Sequence, residues 1–212
     1  MRTFVALLAL ILCVSFSPTR GEETAREVLE RVKMKYESID DAQLRFSQRT
    51  RFEMTNVEQY VTGTLFLKKG NKYRVEFDEQ TIVTNGQTVW SYSVSTNQVL
   101  IDNFKLDGRS ISPEKILAGA PADFYSTLVG KEKLGKTETI RLKLIPKDDQ
   151  SFIRSLKLWV DESSWLIKKA EISDVSGKQT EYFVKDIEVN IGLQDSHFTY
   201  QIPEGVEVVD LR

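Results

Sequence analysis

Tyr73-Arg-Val-Glu-Phe-Asp-Glu-Gln-Thr-Ile-Val-Thr-Asn-Gly-Gln-Thr-Val-Trp-Ser-Tyr92 decides the fold. Tyr73, Val75 and Phe77 alternate with Arg74, Glu76 and Asp78, a period of two that makes one face of a strand apolar and the other charged. Asn85-Gly86 then stands between Ile82-Val83 and Val89-Trp90-Ser91-Tyr92. Those two residue types tolerate the positive φ that a tight hairpin demands. One stretch therefore predicts three successive antiparallel strands with a greasy side and a wet side.

The same pattern continues on both sides. Upstream, Leu44, Phe46 and Gln48 alternate with Arg45, Ser47 and Arg49, and residues 61–69 form a strand closed by the Gly70-Asn71 turn. Downstream, Val99-Leu100-Ile101 completes the meander, and strands resume at 139–145, 152–160, 165–173 and 179–191, with Ser176-Gly177 turning the last pair. Ala25, Val28, Leu29, Val32 and Tyr36 recur at helical steps, so residues 22–39 read as an amphipathic helix. Ser112-Pro113-Glu114 is a helix start, with Ile116 and Leu117 inside and Gly119 as the stop. Residues 121–128 read as another short helical piece. The expectation is an α+β, mainly β chain: a single antiparallel sheet of about eleven strands, which should twist and curl, covered by about three short helices.

The N-terminus reads differently. Met1-Arg2 precedes an apolar run from Phe4 through Val14, and polar Ser17-Pro18-Thr19-Arg20-Gly21 follows. This order is that of a secretory signal peptide, and the run is short for a membrane span. Residues 1–21 are expected to be removed, leaving a single domain over 22–212. Leu12 stands before Cys13 where a lipidated cysteine needs a small residue, so an acyl anchor is not expected there. Removal leaves no cysteine and a net charge of −4, from 27 basic and 31 acidic residues. Such a chain carries neither the basic face of a nucleic-acid binder nor a disulfide framework.

Catalytic signals are weak. His197 is the sole histidine, and its neighbour Ser196 makes no triad, which needs convergence in space and not adjacency in sequence. One histidine without mature cysteine cannot supply the usual zinc sets. Asp148-Asp149 and Asp161-Glu162 lack a calcium-loop pattern and read as turn acids. No acid pair is singled out for a hydrolase, and no phosphate loop is present. No enzyme, metal or cofactor is expected. The abundant feature is apolar alternation. Leu65, Leu67, Tyr73, Val75, Phe77, Val89, Leu142, Leu144, Leu156 and Leu158, with Ile82, Val160, Ile172, Val189 and Ile191, share one face, either as a filled core or as the lining of a cavity.

Several local patterns resemble the periplasmic outer-membrane lipoprotein carrier family (LolA). These are Gly63-Thr-Leu-Phe-Leu-Lys-Lys-Gly-Asn-Lys-Tyr-Arg-Val75, the hairpin Ile82–Tyr92 with its Thr-Asn-Gly-x-x-apolar-Trp-x-Tyr order, and Ser112–Gly119. Trp159-Val-Asp161, Asp174-x-x-Gly177 with Thr180, and Phe198 to Pro203-x-Gly-Val206 complete the order. The resemblance implies an open half-barrel whose cavity takes the acyl chains of triacylated lipoproteins. It implies an inner-membrane lipoprotein-releasing ABC transporter as donor, an outer-membrane acceptor, and a monomeric carrier without nucleic-acid partners. Val28, Leu29, Val32, Ile116 and Leu117 would then form the lid. Lys69 and Tyr73 would sit at the mouth, where lid opening is regulated. Lys69-Gly70 departs from the family's arginine and proline, a point charge replacing a planar fork. A lipid- or glycolipid-binding or envelope-stress-sensing module of the same fold is the alternative. Sensors of that kind usually carry a second domain, and this chain stops soon after Val206.

Overall fold

The computed structural model describes residues 24–105 and 122–212. Twelve strands form one open sheet, in the order β12-β6-β5-β4-β3-β2-β1-β11-β10-β9-β8-β7. The strands are β1 (Asp41–Phe52), β2 (Val57–Lys68), β3 (Lys72–Phe77), β4 (Gln80–Asn85), β5 (Thr88–Ser93) and β6 (Gln98–Asn103) in one half. The other half holds β7 (Phe124–Leu134), β8 (Thr137–Pro146), β9 (Ile153–Asp161), β10 (Ile167–Asp174) and β11 (Lys178–Val189), and β12 (Glu207–Asp210) returns to the first edge. The expected curled, mainly β architecture is present, as a long half-barrel whose two ends do not meet.

Three expectations need correction. The sheet has twelve strands rather than eleven, and β12 runs parallel to β6, so the sheet is not wholly antiparallel. Of the short helix expected at 121–128, Ala122 and Asp123 are helical, but Phe124 to Leu128 begin β7, where Phe124, Ser126 and Leu128 alternate in burial with Tyr125 and Thr127. Aromatic and β-branched residues in that alternation favour a pleated surface over a helix. Among the described residues helix α1 (Ala25–Glu37) is the one complete α-helix, where about three helices were expected for the chain, and a 3-10 turn spans Asp195–Phe198. The helix expected at 112–119 lies outside the described residues.

Thr24 caps α1 through a reciprocal box: its hydroxyl accepts from the Glu27 N–H at 3.3 Å, and Glu27 accepts from the Thr24 N–H at 2.8 Å. Such a box satisfies two otherwise orphaned donors. Ala25, Val28, Leu29 and Val32 are buried on one face of the helix. They pack on Ile140, Leu142, Leu144, Leu156, Leu158, Val160 and Ile172, which defines the inner face of the sheet.

The outer face of the same half is charged. Glu132 accepts from the Trp159 indole N–H at 3.0 Å and from Arg141 at 2.9 Å. Lys169 lies over the Trp159 ring at 4.4 Å and pairs with Glu181 at 2.8 Å, which also meets Arg49. This ladder crosses β7 to β1 and keeps that face wet. The free edge, β7, is blunted by a bulge between Leu128 and Gly130 and by Lys131 and Lys133.

Two glycines carry the turn chemistry. Gly70 has φ +90°, which proline cannot reach, so the turn after β2 cannot follow the family's Arg-Pro pattern. A Cβ on Gly63 would stand 2.6 Å from the Glu76 carbonyl and 3.0 Å from the Phe46 ring. Glycine there lets Phe46 lie across β2 and meet Phe77 edge-on at 5.8 Å.

Candidate functional site

The inner face has two zones. Under α1 it is filled. Leu142, Leu144 and Leu156 are fully buried, Leu158 is 2% exposed, and Val28, Leu29 and Val32 above them are 1% exposed or less. Leu65, Leu67, Tyr73, Val75, Phe77 and Val89, on β2, β3 and β5, are half-buried. Strand register puts them side by side: Leu65 faces Val75 and Leu67 faces Tyr73 across β2–β3, and Val75 faces Ile82 across β3–β4. The ten residues expected to line a cavity thus share one face but divide between a packed core and an apolar surface. Ile116 and Leu117 lie outside the described residues.

Four lining residues escaped the sequence-based selection. Ala42, Leu44 and Phe46 on β1 pair with Leu67, Leu65 and Gly63, and so extend the apolar surface. Their alternation was visible in the sequence. Ile187 shares the parity of Val189, which was expected on the face; a bulge opposite Gln43–Arg45, with Asp186 at φ +44°, sets both on the inner side. Ile191, expected on the face, is exposed, and its N–H bonds the Asp41 carboxylate instead.

At the mouth, an open pocket of about 290 Å³ lies between the end of α1 and strands β1, β2 and β11. Ile39, Ala42, Leu44, Leu67 and Ile187 form its floor. Lys69 is among its lining residues and Tyr73 is not. Lys69 pairs with Asp40 at 2.6 Å, and its N–H bonds the Asp40 carbonyl at 2.9 Å, joining the α1–β1 loop to the β2–β3 turn. Tyr73 meets Phe104 edge-on at 6.4 Å.

Tyr36 anchors α1. Its hydroxyl accepts from the Ile167 N–H at 3.2 Å. Arg31 adds a contact over the Trp165 ring at 4.8 Å. Burial pushes the Tyr36 hydroxyl up to about 12, against a smaller opposing effect of the Ile167 bond. A raised tyrosine favours the neutral folded form, so its contribution is complete below about pH 10 and is lost as pH rises toward 12. The fold is expected to lose on the order of 2–3 kcal/mol over that window. Chemical denaturation of wild type and Tyr36→Phe at several alkaline pH values checks this: the variant's pH slope should be shallower, and equal slopes would refute the assignment.

No catalytic constellation forms around His197. Its ring packs on Phe66 at 4.4 Å on the outer face, where burial and Arg74 keep it below its ordinary range. Asp195 is drawn to Lys68 and Lys72, each at 2.7 Å, which hold its carboxyl at about 2. Asp161 and Asp148 accept backbone N–H bonds from Ser163 and Gln150, as turn acids do. Among the described residues no group of three or more His, Cys, Asp or Glu is placed to hold a metal.

A family model described as "Outer membrane lipoprotein carrier protein LolA" matches residues 37–201, most of the chain. The chain belongs to this family. An outer-membrane lipoprotein carrier protein of Hahella chejuensis is 31% identical over 170 residues, covering 77% of this chain and 79% of the relative. Its namesake from Alkalilimnicola ehrlichii is 25% identical over 211 residues, covering 98% of this chain and 94% of the relative. An uncharacterized conserved protein from Thermus thermophilus shares the fold, with a TM-score of 0.59, 18% identity, and coverage of 88% of this chain and 98% of that one. The family model describes lipoprotein carriers, binding and transport proteins rather than catalysts.

Proposed function

We propose that the chain is a periplasmic carrier that holds the acyl chains of triacylated lipoproteins against the inner face of its half-barrel. It takes them from an inner-membrane ABC transporter and hands them to an outer-membrane acceptor. Residues 1–21 direct export and are removed, and the carrier acts as a monomer. The observation that carries this reading is the half-buried apolar surface of Leu65, Leu67, Tyr73, Val75, Phe77 and Val89, beside a helix that fills the other half. Methylenes removed from water are worth about 0.8 kcal/mol each, so an acyl chain has a large drive into such a surface. The helix α1 is the lid: cargo replaces the packing of Val28, Leu29 and Val32 on the leucines, which keeps net affinity modest and release feasible. Ile116 and Leu117 belong to the same lid, and Lys69 with Asp40 steadies the mouth.

The test is native mass spectrometry after incubation with inner-membrane vesicles, transporter and ATP. A one-to-one complex with a triacylated lipoprotein is the expected result. Val75→Asp, a charge in the middle of the half-buried surface, is expected to cut the loaded fraction at least tenfold while thermal unfolding shifts by only a few degrees, because Val75 is not in the sealed core. A free lipid or glycolipid in place of lipoprotein would move the function to lipid binding or sensing. No bound species with an active transporter would return the face to an ordinary core.

A further inference from the structure

The mouth pocket has features that an acyl cavity does not require. Its floor of Ile39, Ala42, Leu44, Leu67 and Ile187 is apolar, and its volume is about 290 Å³. An apolar cavity of roughly 150 Å³ holds one benzene, so about twice that volume takes one alkyl segment and not several chains. Its rim carries Lys33, Glu37, Asp40 and Lys69. Lys33 and Glu37 stand 3.9 Å apart, and Lys69 and Asp40 stand 2.6 Å apart. The remaining two charged lining residues are engaged away from the rim. Lys68 bonds the Leu193 carbonyl and Asp195, and Asp41 accepts the N–H groups of Ile191, Gly192 and Leu193.

We propose that this pocket binds one single-chain amphiphile with a zwitterionic head, a lysophospholipid. The inference rests on the carrier reading, since Leu44 and Leu67 belong to the same inner face. Two cations and two anions line the rim, as two ion pairs. A head carrying phosphate and ammonium can re-pair with both signs at once: phosphate with Lys33 and Lys69, ammonium with Glu37 and Asp40. A head with only negative charge satisfies the lysines and leaves two carboxylates facing it. Exposed pairs of this kind hold each other weakly, so exchanging one partner for a ligand group costs little. The alkyl chain then lies on the floor, with its far end toward Leu65.

The experiment is isothermal titration calorimetry of the purified protein, below the critical micelle concentration. The probes are a myristoyl lysophosphatidylethanolamine and the lysophosphatidylglycerol of the same chain. One site and at least a tenfold preference for the ethanolamine head are expected. Ile39→Trp, which fills the floor, should weaken binding at least tenfold while its melting curve and its lipoprotein loading persist. The double variant Glu37→Lys with Asp40→Lys should invert the preference toward the glycerol head, which a merely loosened pocket would not do. Equal affinity for both heads, more than one bound molecule, or binding untouched by Ile39→Trp would each overturn the proposal. So would absence of lysolipid binding by a protein that still loads lipoprotein. If lipoprotein loading also fails, the carrier reading itself falls.

Discussion

Replacing Phe198 with alanine is expected to lower the stability of the fold by about 3–5 kcal/mol, the range for emptying a buried aromatic site. Phe198 is fully buried, although it lies in a segment with no regular structure beyond one 3-10 turn. That segment runs from the end of β11 to β12 and straps the outer face of β3 and β4. Register places Val83, Trp90 and Ile101 in one outward-facing row and Tyr92 and Val99 in the next. Of these, Val83, Val99 and Ile101 are 6% exposed or less, so the strap acts as the second layer of a small outer core. Its ends are fastened independently. Asp41 gathers three backbone N–H groups at one end, while Tyr200 stacks on Tyr92 at 5.8 Å and Asn97 donates to the Gly205 carbonyl at the other. These fasteners should keep the strap in place, so the variant gives a cavity and not a detached tail. Urea unfolding measures the loss. A loss below about 1 kcal/mol would mean the strap is peripheral, since that is the scale of a surface change.

The strap also shows what could not be read from the sequence. Asp195-Ser-His-Phe198 drew notice as a possible catalytic string, and Phe198, alone among polar neighbours, offers no period to read. Its role depends on contacts with strands a hundred residues earlier. The meander behaved oppositely. Tyr73, Val75, Phe77 and the Asn85-Gly86 turn encode their pairing locally, and each lies where alternation puts it. Failures elsewhere have specific causes. The bulge at Asp186 reverses the parity of β11 between Val184 and Ile187, so no single alternation runs through that strand. The start of β7 was mistaken for helix because Phe124 to Leu128 is too short to show its period clearly. β12 has only four residues and pairs parallel to a distant strand, a choice that no local pattern specifies. For the site, the sequence identified the shared face. It could not show that half of that face lies sealed under α1, because burial depends on what packs above.

That sealed half sets the last expected result. A disulfide joining α1 to β9 should abolish lipoprotein loading while oxidised and restore it on reduction. Cys13 is the sole cysteine of the sequence, so in a protein beginning at residue 22 an engineered pair would be the only one able to form a disulfide. The positions should be chosen with Cβ atoms about 3.5–4.5 Å apart, to avoid strain. Undocking α1 would re-expose Val28, Leu29, Val32, Leu142, Leu144, Leu156 and Leu158, all 2% exposed or less here. At about 1.5–3 kcal/mol for each side chain, this costs on the order of 10–20 kcal/mol, an upper bound because denatured-like states stay partly compact. About 13–25 methylenes at ~0.8 kcal/mol return the same amount. Triacyl cargo exceeds that range, whereas a single chain reaches only its lower end. On the proposed lid reading, α1 is expected to open for a lipoprotein and to stay shut over a one-chain lipid at the mouth. Cross-linking removes the exchange without altering the half-buried surface on β2, β3 and β5. Full loading of the oxidised protein would show that this surface alone holds the cargo and that α1 is a fixed part of the core.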